Sequence, residues 1–246
     1  MWRKFLKHNH PQCGYQPPDL INFLITKGAN IHANNDGALM LSACYGHLET
    51  VKFLLTQGAN IHSDDDEALR LSARHGRLEI VKFLIAHGAN IHANNNDALI
   101  SAANSGHLEV VKLLCTEGAN IHADDDEALR YSAYNGRLEV VKFLIAQGAN
   151  IHANDDEALR WSAYDGRLEI VKYLLARGAN VHANNDEALK ESAQKGRDDV
   201  WQILSAFIQE EKLLVAASVS IPLVAASGVM LHAQPLPIIK SKHSKI

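Results

Sequence analysis

Six histidines recur at His32, His62, His92, His122, His152 and His182, and imidazole is a common metal ligand and a general base near neutral pH. A shared ion needs donors converging within about 2 Å of it. Equivalent residues of stacked helices stand roughly 8–10 Å apart, so these rings are expected to make turn hydrogen bonds and to bind no metal. The acidic runs Asp64-Asp65-Asp66 and Asp124-Asp125-Asp126 raise calcium, but the twelve-residue loop with its central Gly and terminal Glu is missing. Loop solvation and helix capping are their expected roles. Cys13, Cys44 and Cys115 are odd in number and unrelated in spacing, which argues against a disulfide framework or zinc site and for free thiols in a reducing, cytoplasmic setting. There is no phosphate-binding Gly-rich loop, nucleophile elbow or HExxH sequence. The chain is therefore expected to be non-enzymatic, with no catalytic residue and no cofactor.

Whole-chain numbers narrow the field further. The 246 residues carry a formal net charge of −4 with 47% apolar content, and the pI is about 6.4. A core is affordable, and no global basic field favours nucleic acid. The start at Met1-Trp2-Arg3-Lys4 is basic, but no apolar stretch of signal-peptide length follows, so secretion is not expected.

The elements that must position these residues are set by a repeat. Gly-Ala-Asn recurs at Gly28, Gly58, Gly88, Gly118, Gly148 and Gly178, each thirty residues from the last. Copies begin at Asn30, Asn60, Asn90, Asn120, Asn150 and Asn180, preceded by a half copy over 17–29. Each predicts two helices. In the second copy Asp66 is expected to cap the first helix, with Glu67 in its first turn. Ala68, Leu69, Ser72 and Ala73 form a small-residue face, and Gly76 ends the helix. The second helix runs from Leu78 to about Ala86, with Leu78, Val81, Leu84 and Ile85 on one side and Glu79 and Lys82 on the solvent side. So small a unit cannot bury its apolar face alone, so copies must stack.

The run Gly-His-Leu-Glu-Val-Val-Lys-Leu-Leu at 106–114, followed by Gly118-Ala119, resembles the second helix and turn of an ankyrin repeat. Glu-Ala-Leu-Arg-Leu-Ser-Ala stands where that family usually has Thr-Pro-Leu-His-x-Ala-Ala. The resemblance covers 17–209 and implies an all-α, ankyrin-type helical solenoid of paired antiparallel helices that binds a protein partner. Repeats of 30 residues instead of 33 place the shortfall between His62 and Leu69, so the projecting finger should be clipped. Short repeats with Asn- and Asp-rich loops are also similar to arrays abundant in large DNA viruses.

Columns that never change answer the packing problem common to all copies, as at Ala38, Ala68, Ala98, Ala128, Ala158 and Ala188. The most varied columns lie at the end of the first helix, from Cys44-Tyr45 onward: Arg74-His75, Asn104-Ser105, Tyr134-Asn135, Tyr164-Asp165 and Gln194-Lys195. The resemblance implies that these are partner-contact positions. Tyr131 and Trp161, beside Arg130 and Arg160, extend this into an aromatic patch of residue types enriched at interface hot spots. Because Leu41 and Leu71 share their column, Tyr131 and Trp161 are first read as packing against the next repeat, with the patch as the other reading. Tyr134 and Tyr164 are expected to be exposed.

The ends depart from the pattern. Asp198-Asp199, Trp201 and Gln202 alter the last second helix, which is expected to run on through Ala206-Phe207-Ile208 as a cap. Residues 1–16 form an N-terminal segment with no partner helix for 19–27. The tail, 210–246, contains the uncharged stretch 213–231, long enough for a membrane anchor but interrupted by Pro222 and Gly228. An apolar segment folded onto the last repeat is the other reading. A monomeric cytoplasmic scaffold, or a membrane-associated adaptor displaying the same array through its tail, are the two expected forms.

Overall fold

In the computed structural model, residues 23–219 are described. All regular structure among them is helical, with no strand. Residues 23–26 form a helical turn. Five pairs then follow: α1 (Ala33–Tyr45) with α2 (Leu48–Thr56), α3 (Ser63–Arg74) with α4 (Leu78–Ala86), α5 (Ala93–Ser105) with α6 (Leu108–Thr116), α7 (Ala123–Tyr134) with α8 (Leu138–Ala146), and α9 (Ala153–Tyr164) with α10 (Leu168–Ala176). The last pair is α11 (Ala183–Gln194) with α12 (Asp198–Val219). In the first five pairs the two helices pack together, first helices stack on first helices, and the second helices of those pairs contact one another more sparsely.

The core is one column of small and branched residues repeated every thirty positions. Ala68, Leu69, Ser72 and Ala73 are buried, as the small-residue face predicts. In α4 the span matches expectation, but the buried positions are Ile80, Val81 and Leu84. Leu78 and Ile85 are half-buried and pack on the core's margin. Ile80 enters because the stacked neighbour covers a wider arc of the helix than the strict three-to-four stripe suggests. Glu79 and Lys82 pair at 2.9 Å on the solvent side, and the same pair recurs in α2, α6, α8 and α10.

The polar triplets turn out to have a different task from the capping role read in the sequence. Residues 34–36, 64–66, 94–96, 124–126, 154–156 and 184–186 all have φ between 49° and 62°. Each is a left-handed turn three residues long, set at the entrance to the first helix. An ordinary L-residue loses roughly 1–2 kcal/mol in this conformation, and only Gly, Asn and Asp adopt it readily. Every one of the eighteen residues is Asn or Asp. In the second copy this turn falls at 64–66, inside the His62–Leu69 segment to which the sequence assigns the shortfall of the repeat.

The turn is pinned from two sides. Arg130 donates from Nε to the Asp125 carbonyl at 2.9 Å and from Nη2 to the Asp124 carbonyl at 2.8 Å. Its remaining Nη1 meets the Glu157 carboxylate in the next repeat. Arg70 and Arg160 hold the corresponding carbonyls in the same way and reach Asp97 and Glu187. The third residue of the turn reaches forward: Asp66 Oδ1 accepts the Asn90 backbone N–H at 2.8 Å. Asp36, Asn96, Asp126 and Asp156 do the same for Asn60, Asn120, Asn150 and Asn180.

At the other end of the first helix, Gly136 has φ 75°, and Gly136 N–H and Arg137 N–H return to the carbonyls of Ala133 and Ser132. That is the pairing of a Schellman motif. A side chain at Gly136 would also meet Arg167, whose Cδ lies 3.0 Å from an ideal Cβ. Arg167 needs that path because its Nε donates to the Tyr134 carbonyl at 3.2 Å. Arg77, Arg137 and Arg197 cap Cys44, Asn104 and Tyr164 alike.

The final helix is longer than the expected cap and crosses the 209/210 line drawn from the sequence. Val200, Leu204 and Ile208 are buried, whereas Trp201 is 43% exposed and Leu213, Leu214 and Val215 are more so. Among the described residues, those up to 208 and those from 209 to 219 fall in separate units. Among the described residues no helix is long and apolar enough to cross a membrane. Most of 213–231 lies outside the described residues, as do 1–16 and Cys13.

A candidate partner-binding surface

The histidine ladder is a structural device. His62 Nδ1 lies 3.1 Å from Asp66 Oδ1, and the His62 backbone N–H donates to Asn60 Oδ1 at 3.0 Å. The other five copies repeat both contacts. In the third copy the acceptor is Asn96, so the donor there is Nδ1–H and a formal charge on the acceptor is not required. Among the described residues no group of three His, Cys, Asp or Glu side chains could hold a metal ion. Cys44 and Cys115 are free thiols, and burial pushes the Cys115 thiol up to about 11.

The varied columns gather on the first helices, and three kinds of environment separate them. Arg74, His75, Gln194 and Lys195 are exposed. The His75 ring is pulled below the usual histidine range by loss of hydration and by the nearby charges of Arg74, Arg77 and His107. Asn104 and Asn135 are tied to each other, Asn135 Nδ2 donating to Asn104 Oδ1 at 2.7 Å. Ser105 is half-buried beside them. Asp165 pairs with Arg167 and lies 4.0 Å from Arg197, so it serves the array as well as its surface.

Tyr134 and Tyr164 are half-buried, not exposed. For Tyr134 the reason is the large neighbour in the adjoining column. Trp161 stands edge-on to Tyr134, with ring centroids 5.8 Å apart and planes at 67°, and is tilted over Tyr131 at 5.7 Å. Both spacings fall in the favourable aromatic range. Arg130 lies 5.9 Å from the Trp161 ring, and the Lys195 ammonium lies 4.5 Å from the centroid of Tyr164. Tyr131 packs on the core margin, so its column does both things that the sequence allowed: it packs, and it lines a surface.

That surface is a depression of about 380 Å³ bounded by Tyr131, Tyr134, Trp161, Tyr164, Arg160, Glu187 and Glu191. A second recess of about 380 Å³ adjoins it at Tyr131 and is polar, with Arg74, Asp97, Asn104, Asp124 and Glu127 in its walls. Burial opposes ionisation of Glu187, but hydrogen bonds from Asn184 and Arg160 prevail and hold its carboxyl below the ordinary range. Burial raises the Tyr131 phenol, reinforced by Glu127. The arrangement holds aromatic faces and carboxylates in one groove, with no nucleophile and base set against each other.

Stacked helix pairs joined by short turns define a helical solenoid. The family model of ankyrin repeats matches residues 12–95, 91–155 and 129–212, and the chain belongs to that family. Ankyrin repeats are in general non-catalytic and mediate protein–protein contacts. No curated protein matches the chain. Among solved structures, the crystal structure of the human ASB11 ankyrin repeat domain is similar, with 23% identity and a TM-score of 0.63 over 69% of this chain and 82% of that one. In all, 359 solved chains match, so the fold is widely shared and singles out no partner. None of these matches bears on the likeness of the short repeat to viral arrays.

Proposed function

We propose that the chain is a non-catalytic scaffold that holds a protein partner along the ends of its first helices, centred on Tyr134 and Tyr164. The observation that carries this is the aromatic depression in the central repeats, where Tyr131, Tyr134, Trp161 and Tyr164 converge. Core positions repeat with little change from copy to copy, whereas these rings occur in two adjacent copies only. Packing therefore does not require them, since other copies stack with Leu, Ser or Glu in the Trp161 column. Tyr and Trp supply large contact area with little conformational entropy to lose, and with Arg they dominate binding hot spots.

Affinity capture with the full chain and with its Tyr134→Ala/Tyr164→Ala variant tests the reading. A partner retained by the unaltered chain is expected to be lost from the variant, with the helical circular dichroism unchanged. Equal retention by a folded variant removes this surface from consideration.

A further inference from the structure

We infer that the groove takes a basic, extended segment of the partner, seating a lysine or arginine side chain against Trp161 and Tyr164 with Glu191 as its counter-charge. This deepens the proposed function and rests on it.

The charge of the two recesses points one way. Their walls hold five carboxylates and two guanidiniums. One of those guanidiniums, Arg160, is already spent on Glu187, and Asp97 is paired with Arg70 from outside the recess. Asp124 is met by the neutral amide of Asn95. Glu127 contributes to the Tyr131 phenol. Among the described residues neither these two nor Glu191 forms a salt bridge within 4.0 Å, although Lys195, which stands over Tyr164, interacts electrostatically with Glu191; Arg74 is the remaining cation in the walls. A phosphate or an acidic peptide would therefore meet more carboxylates than unpaired cations. A wholly apolar segment would strip water from Glu191 and give it nothing in return.

The rings point the same way. An aromatic face attracts a cation through its quadrupole at up to about 6 Å, and two faces here already do so with the protein's own Lys195 and Arg130. A partner cation entering beside Trp161 would meet ring faces and the Glu191 carboxylate together. The recesses adjoin at Tyr131 and reach from Arg74 to Glu191, across the first helices of successive repeats. That extent suits a stretch of chain and not a single residue.

The test is selection of phage-displayed random dodecapeptides on the full chain. The enriched peptides are synthesised and titrated by fluorescence anisotropy against the unaltered chain, Glu191→Gln, Glu127→Gln and Tyr134→Ala/Tyr164→Ala. Enriched peptides are expected to be rich in lysine and arginine, to bind about tenfold more weakly to Glu191→Gln, and to weaken as salt rises. Glu127→Gln gives a second reading should Glu191→Gln melt early. Peptides that lose binding to the tyrosine variant but carry no excess of basic residues overturn the basic-segment inference while leaving the surface in place. Peptides that bind all variants alike overturn both. If no peptide is enriched, a basic segment is insufficient and the inference falls.

Discussion

Asp66 and Asn90 belong to neighbouring repeats, and the Asp66 carboxylate oxygen accepts the Asn90 backbone N–H at 2.8 Å while His62 Nδ1 lies 3.1 Å from that same oxygen. Asp66 is 4% exposed, so the contact lies where an unmatched polar group is costly. Repeated along the array, it links each of the first five left-handed turns to the loop of the next copy. The histidines, which look like catalytic or metal-binding candidates in the sequence, are the props of that link.

Asp66→Ala removes the acceptor and leaves the Asn90 N–H unpaired, and is expected to cost about 1–3 kcal/mol. Asp66→Asn is expected to stay within about 1 kcal/mol of the unaltered chain, because Asn96 makes the equivalent contacts at 2.9 Å and 3.0 Å. Urea unfolding of the two variants separates these outcomes. Equal losses would mean that charge, and not the acceptor, holds the link.

Asp125 has φ 53° and ψ 54° in the middle of its turn. Asp125→Val places a branched side chain in that conformation and is expected to cost at least about 1–2 kcal/mol. Asp125→Gly removes the steric cost and is expected to be close to neutral in the same unfolding assay. A stable Asp125→Val protein would contradict the left-handed turn.

Thr50 is 1% exposed and its Oγ1 has no hydrogen-bond partner. The same position in later copies is Ile80, Val110, Val140, Ile170 and Val200. Thr50→Val keeps the shape and removes an unsatisfied buried hydroxyl, and is expected to stabilise by about 1 kcal/mol. A thermal melt with no upward shift would show that the hydroxyl is satisfied in solution.

Much of the fold was legible because a repeat states its packing rule six times. Leu78–Ala86 emerged with its bounds from the three-to-four spacing of its apolar residues, and Gly76 marked the end of the helix before it. In the sequence the triplets are readable as loop and cap residues, because Asx residues serve both caps and left-handed turns and a single copy does not distinguish them. What distinguishes them is the run of three: a cap needs one Asx, whereas a left-handed turn favours Asn, Asp or Gly at every position. The arginine contacts stayed hidden for another reason. Arg167 reaches Tyr134 and Arg130 reaches Glu157, across 33 and 27 positions, and no local pattern records such pairs. Tyr134 and Tyr164 lie on the first helices, as the sequence indicates, but the half-burial of Tyr134 depends on Trp161, a neighbour from another column.

The central claim, that a partner protein sits on the first-helix surface, is tested most directly by site-specific photocrosslinking of the chain in its native complex. A benzophenone amino acid is placed at Tyr164 in one protein and at Lys142, which pairs with Glu139 on the solvent side of α8, in another. Irradiation is expected to join the partner to the chain at position 164 and not at 142. Crosslinks from 142 with none from 164 would contradict the assignment.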